Sequence, residues 1–241
     1  MHKLPNTGYV IGDADLSGAD AQVVAWEAQD EMLMEAFRKG LKVHILNCRT
    51  MFPEKVRGWS DEAIKANPLY EQNKRAVHAT NYGGSGKTIA MTNGWLVSEG
   101  EAFQRRWFGE HPGIKSWHNR TEQTLTRTRT ITNVFGYRKV YFDRVDGLLP
   151  QALAWVPQST VAIVCFRGLL NARRILPWVE FLIQVHDSLV FQLRFHMMKE
   201  LRRLRDALHI PIPYESPLLI PWGLSISPTS WGDCVARGWE E

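Results

Sequence analysis

Cysteine is scarce in this chain. Cys48, Cys165 and Cys234 are the only three thiols in 241 residues. Their odd number and wide separation fit neither a disulfide framework nor a zinc site. Buried free thiols in a reducing compartment account for them. The N-terminus, MHKLPNTGYVIGDADL, lacks the apolar core of a secretory signal. As a string of letters, no apolar run approaches membrane-spanning length, so no membrane partner is expected. Internal repeats and low-complexity tracts are missing too.

What is present is ordinary in bulk: 44% hydrophobic and 22% charged residues, with a formal charge of +4. The length permits one large domain or two modest ones. The positive charge is unevenly spread. One stretch holds Arg105, Arg106, Lys115, Arg120, Arg127, Arg129, Arg138, Lys139 and Arg144 with few acids between, and a second holds Lys199, Arg202, Arg203 and Arg205. These are either two solvated helix faces or a surface that follows phosphates.

Residues 9–16 read as a strand that ends in acids, and 18–39 as a helix stopped by Gly40. Ser60 caps a short helix before Pro68. Residues 69–90 begin helical and turn glycine-rich. Ser98 with Glu101 is a capping box for a helix through Phe108, and Pro112 opens the next. Around Phe135-Gly136 the period changes to that of a β-hairpin. Residues 151–174 read as a helix ended by Pro177. Two strands, 179–185 and 189–193, flank His186-Asp187-Ser188. A charged helix over 197–208 and an extended, proline-rich tail from 210 complete the chain. The expected class is α+β, with a sheet drawn from both ends of the chain and a mostly helical insertion between.

Asp15 ends one strand and Asp187 sits in a turn between two others. If those strands are neighbours, two carboxylates meet at a sheet edge, where only cations let both stay charged. Mg²⁺ uses one or two carboxylates plus substrate phosphates, and two metals about 3.5–4 Å apart serve phosphoryl transfer. Either aspartate alone is an ordinary turn or strand-end residue, and spacing does not choose Asp15 over Asp13 or Asp20.

The segment Asp15-Leu16-Ser17-Gly18-Ala19-Asp20-Ala21-Gln22-Val23-Val24-Ala25 resembles motif A of family A DNA polymerases, Asp-Tyr-Ser-Gln-Ile-Glu-Leu-Arg-Val-Leu-Ala. The likeness continues through Asp30-Glu31, Phe37, Gly40 and Val43-His44. Gln184-Val185-His186-Asp187 resembles motif C, and Asn81-Tyr82-Gly83 the centre of motif B. The segment 132–138 resembles the family's Thr-x-x-Gly-Arg-Arg, and Pro157-Gln158-Ser159-Thr160 its Gln-Gly-Thr. The matches occur in family order. The resemblance implies a palm whose small antiparallel sheet carries two catalytic aspartates, with a helical fingers subdomain inserted. It divides the chain into 1–50 (palm, motif A), 51–150 (fingers, motif B and the connecting hairpin) and 151–241 (palm, motif C). It assigns Asp15, Asp187 and the Leu16 backbone carbonyl to two Mg²⁺ ions, with Mn²⁺ as a substitute, and leaves Asp13 as a supporting or surface residue. Primer–template DNA and deoxynucleoside triphosphates are the implied partners, in the cytoplasm of a bacterial or phage-infected cell. Only fourteen residues precede Asp15, too few for the family's thumb or exonuclease-type domain. The resemblance therefore implies a chain without either, and a separate thumb- or exonuclease-bearing chain as a partner.

Lys74, His78 and Tyr82 at i, i+4, i+8 share one helix face. They are an amphipathic helix's basic edge or, by the resemblance, the groups that meet the incoming nucleotide. Lysine lacks arginine's bidentate fork, and His78 stands where the family has lysine. Gly86 replaces a family tyrosine. Asp20 stands where a glutamate packs below the nucleotide sugar. Arg138 and Gln158 match template–primer contacts, and His186 supports the primer end. Ser188 replaces the glutamate usual in motif C. Two other functions stay open. Gly83-Gly84-Ser85-Gly86-Lys87-Thr88 looks like the end of a P-loop, which would make the chain an NTPase, although Asn81 stands where that motif needs glycine. A non-catalytic DNA-binding module would keep the basic face and tolerate loss of either aspartate.

Overall fold

The computed structural model describes residues 8–142 and 147–240. Arg144, part of the first basic stretch, lies outside them. The chain divides into two compact units: residues 1–20, 134–136 and 158–241, and residues 21–133 and 137–157.

The first unit is built on a five-stranded antiparallel sheet. Its strands are β1 (Tyr9–Leu16), β4 (Glu180–Val185), β5 (Ser188–Arg194), β6 (Trp222–Ser227) and β7 (Val235–Arg237), in the order β4-β5-β1-β6-β7. β1 lies in the middle, paired with β5 on one side and β6 on the other. The tail expected to be merely extended thus supplies a sheet neighbour of the first strand. The signal was legible, because Trp222, Leu224 and Ile226 alternate with smaller residues and all three are buried. Register between β1 and β5 is pinned by a size match. Gly12 stands opposite Phe191, and a Cβ on Gly12 would overlap the fully buried Phe191 ring. Two residues further along β1, Ala14 meets Leu189, and then Asp15 meets Ser188.

A long helix, α9 (Leu149–Ile175), carries Pro157 within it, and its later part belongs to the sheet unit. By length and composition this helix could cross a membrane, with a mean hydropathy of 1.4 over its best window, contrary to the reading of the letters. Half of that window is buried inside the protein, as in a core helix. Gly168 lies against the carbonyl of Leu208, where α10 (Leu201–Leu208) ends, and Asn171 Nδ2 donates to the Ala207 carbonyl at 2.8 Å.

The second unit holds α1 (Ala19–Ala28) from Ala21 on, α2 (Glu31–Arg38), α3 (Val43–Met51), α4 (Asp61–Ala66), α5 (Pro68–Asn81), α6 (Gly86–Asn93), α7 (Val97–Glu110) and α8 (Pro112–Thr128). The hairpin strands β2 (Thr130–Thr132) and β3 (Arg138–Val140) follow. The single helix expected over 18–39 is two. Gln29 takes φ 53° and Asp30 starts α2 as its N-cap, accepting from Leu33 N at 3.0 Å and meeting His111 Nδ1 at 3.1 Å. The expected Ser98–Glu101 capping box does not form, because α7 starts earlier: its N-cap is Leu96, whose N–H donates to Glu99 at 2.8 Å and whose side chain has no oxygen to complete a box. Ser60 caps α4 as read, accepting from Ala63 N at 3.2 Å. Cys48 and Cys165 are buried free thiols, and burial pushes them up to about 11 and about 12. Cys234 is also free but only half-buried.

Gly12→Ala is expected to destabilise the chain by about 1–3 kcal/mol, the usual cost of overpacking a core. Urea unfolding measures it, and a variant as stable as wild type would show that the ring does not fix the β1–β5 register.

Candidate active site

The hairpin β4–β5 turns through His186 and Asp187, since Val185 pairs with Ser188. His186 adopts φ 54°, a conformation that a non-glycine residue holds only when its surroundings impose it. Two bonds do so. Gln184 Nε2 donates to the His186 carbonyl at 3.1 Å, and the Leu16 N–H donates to the Asp187 carbonyl at 3.1 Å. The second bond ties the turn to the end of β1, immediately after Asp15. Asp15 and Asp187 therefore share one corner of the sheet.

Their proximity appears in the electrostatics. Asp15 is solvent-accessible, yet enough protein surrounds it for desolvation to be the leading cause of a raised pKa, followed by the charges of Asp187 and then Asp13, to about 6. A cavity of about 530 Å³ opens beside this corner, lined by Asp20, Gln158, Val161, Ala162, His186 and Asp187. Asp20, Gln158 and His186 were each singled out in the sequence, and the fold brings them to one cavity. Cys165 feels the charges of Asp187 and Asp15, which add to burial in raising its pKa.

Asp13, on the same face of β1 as Asp15, is no idle surface group. The Ser188 hydroxyl donates to its Oδ1, and Trp231 Nε1 donates to its Oδ2 at 2.7 Å. The sequence offered Asp13 as a rival for a metal and then as a supporting or surface residue, without naming its partners. Its cross-strand partners depend on register, which no local pattern reveals.

Residues 3–220 match the family model for DNA polymerase family A. The chain belongs to that family. It is 24% identical over 231 residues to DNA polymerase I of Helicobacter pylori, covering 88% of this chain and 24% of that protein. It is 26% identical over 230 residues to the thermostable DNA polymerase I of Thermus filiformis, covering 90% and 26%. With the DNA polymerase of Mycobacterium phage D29 it shares 22% over 231 residues, covering 95% and 36%. The chain thus spans about a quarter of the bacterial relatives' length. Its fold is similar to that of the polymerase domain of a DNA polymerase I from M. smegmatis, solved in complex with DNA primer-template and dNTP. The TM-score is 0.79 at 19% identity, covering 93% of this chain and 40% of that one.

The remaining expected site residues of this family A chain lie in the helical unit. Lys74 and His78 are on α5, and Tyr82 is its C-terminal cap, one residue beyond the helix. The rings of His78 and Tyr82 meet edge to face at 4.3 Å, and Lys74 pairs with Glu71 at 3.4 Å. Arg138 is exposed at the start of β3, opposite Thr132. The P-loop reading fails here, because its glycines follow a helix, not a strand. Ser85 is the N-cap of α6, accepting from Thr88 N at 3.1 Å. Gly86 is buried against α7: a Cβ there would lie 2.7 Å from Glu101 Cγ, and one on Gly100 would overlap the Gly86 carbonyl. Gly86 thus serves helix packing, and a tyrosine does not fit. The second basic cluster is largely paired internally, Arg202 with Glu240, Arg203 with Glu200 and Arg205 with Asp206, which weakens it as a phosphate track.

Among the described residues no three His, Cys, Asp or Glu side chains gather as a metal cage. Two crowded carboxylates, one of them reluctant to ionise, are the donor set a hard divalent cation completes with substrate oxygens. The folded chain holds the Asp15 proton more tightly than an unfolded chain does. Asp15 therefore favours the folded state below about pH 4 and loses that contribution as the pH rises through about 6. The same proton competes with a metal. Mn²⁺ binding, followed by electron paramagnetic resonance of the free ion, should weaken about tenfold per pH unit below about 6 and level off above it. A flat profile from pH 5 to 8 would remove Asp15 from the metal site.

Proposed function

We propose that the chain is the polymerising part of a template-directed DNA polymerase, adding deoxynucleotides to a primer 3′-hydroxyl and releasing pyrophosphate. The observation that carries this reading is the single corner of the sheet holding Asp15 and Asp187 beside a cavity lined by Asp20, Gln158 and His186. In this reading residues 1–50 and 151–241 form the palm and 51–150 the fingers. Asp15, Asp187 and the Leu16 carbonyl would hold two Mg²⁺ ions, whose positive charge would favour deprotonation of the primer hydroxyl and offset the charge that develops on pyrophosphate.

The chain's own groups do the rest. With its pKa raised only to about 6, Asp15 is mostly ionised at neutral pH to receive the cations. Lys74 and His78 neutralise the triphosphate, and phosphate contact favours the charged form of His78. Tyr82 and Asp20 are the residues assigned to the sugar, and the shorter Asp20 leaves more room beneath it than a glutamate leaves. Arg138 and Gln158 hold the template–primer backbone or minor groove, and His186 the primer end. Primer–template DNA and deoxynucleoside triphosphates are the partners, in the cytoplasm. A separate thumb-bearing chain belongs to the same reading, tested by whether adding one lengthens the products.

Asp15→Ala and Asp187→Ala should each lower primer extension with Mg²⁺ by at least about a thousandfold, the scale of losing transition-state charge stabilisation. Melting temperature and DNA binding should stay close to wild type. Near-wild-type synthesis by either variant would favour a non-catalytic role for the aspartates.

Tyr82→Phe should discriminate more strongly against dideoxynucleotides than the wild type, read as reduced chain termination at equal analogue concentration. Unchanged termination would place Tyr82 away from the sugar.

A further inference from the structure

The turn that carries Asp187 is strained and solvent-facing, so something must fix where its carboxylate points. One clamp is the bond from the Leu16 N–H to the Asp187 carbonyl. A second lies on the other side of Asp187, at Ser188. This residue is buried, and its hydroxyl reaches diagonally across the β1–β5 pair to Asp13 Oδ1. The other oxygen, Oδ2, accepts from Trp231 Nε1 at 2.7 Å, on the short 3₁₀ turn that follows β6. One half-buried carboxylate therefore joins three segments of the sheet unit through bonds of the charge-assisted kind, roughly twice as strong as neutral ones.

We propose that Asp13 is a positioning residue for the Asp15–Asp187 pair, holding Ser188 against β1 so that the two carboxylates keep the separation a divalent cation requires. It rests on the polymerase reading above. Ser188 stands where the family's motif C has an acid, and in this chain the acid its hydroxyl touches comes from β1. With both oxygens engaged, Asp13 supports the site without serving as a ligand. Catalytic constellations need placement within about 0.5 Å. Slack at Ser188 passes directly to its neighbour Asp187.

The proposal is tested by Asp13→Asn, Trp231→Phe, and the exchange of Asp13→Ser with Ser188→Asp, which swaps acid and hydroxyl across the same strand pair. Two quantities are read for each: Mn²⁺ affinity by electron paramagnetic resonance, and the Mg²⁺ concentration that half-saturates primer extension. Melting temperature is measured alongside. Asp13→Asn keeps an oxygen for Ser188 but loses the charge and opposes an amide to the indole N–H. It should weaken Mn²⁺ binding and raise the Mg²⁺ requirement about tenfold, with kcat at saturating Mg²⁺ changed much less. The exchange should recover most of both losses. Trp231→Phe changes no residue of either strand and should raise the Mg²⁺ requirement about threefold, so it decides the matter if the exchanged chain does not fold. Wild-type metal dependence in Asp13→Asn, or a folded exchange variant no better than Asp13→Asn, would overturn the role. If the wild type extends no primer at all, the polymerase reading fails, and Mn²⁺ affinity alone still decides for or against Asp13.

Discussion

Two carboxylates of like charge, from opposite ends of the chain, are held together by the antiparallel register of β1 with β5. Everything at the site depends on that pairing. β1 is hydrogen-bonded on both sides, to β5 and β6, so its end cannot slip without breaking two ladders. A slip of one residue would turn Asp13 and Asp15 to the other face of the sheet and Gly12 away from the Phe191 ring. The glycine–phenylalanine fit is thus what sets Asp15 opposite Ser188, next to Asp187. The Leu16–Asp187 backbone bond then fixes the turn.

The arrangement has a cost that explains its chemistry. Burial and the neighbouring acids raise the Asp15 pKa to about 6, so the chain without cations carries repulsion a core would not tolerate. On the polymerase reading proposed above, a divalent ion would relieve that repulsion, the usual conflict between stability and activity at a site. The strained φ of His186 belongs to the same account, because the turn is bent to present Asp187 and is held there by Gln184.

In the helical unit, small residues and caps do the corresponding work. Gly86 and Gly100 let α6 and α7 cross at backbone contact, and Asp30, capped onto α2 and bonded to the buried His111, turns the chain out of α1. These features leave α5 with Lys74 and His78 on it and Tyr82 at its end, a cation, an imidazole and an aromatic ring in one stripe. The second basic cluster is a weaker theme than the composition suggests, since the arginines of α10 pair with acids of the same chain at the surface.

The sequence by itself determined the local elements that carry period and punctuation. β1 and the hairpin strands β4 and β5 are legible as short apolar runs, the Ser60 cap and the Pro112 helix start as residue types, and the family as a set of motifs in order. Asp15 and Asp187 were singled out by those motifs, since strand and turn position alone did not choose Asp15 over Asp13 or Asp20. Other features depend on distant partners and were not legible. The break at Gln29-Asp30 needs His111, and Gly86 reads as phosphate-binding until α7 is packed on it. Asp13 shows the limit most plainly. Its identity is written in the sequence, but its role is set by Ser188 and Trp231, which reach it only through a register across three segments. Local pattern fixes what each residue is suited to do, while tertiary pairing decides which of those abilities meet.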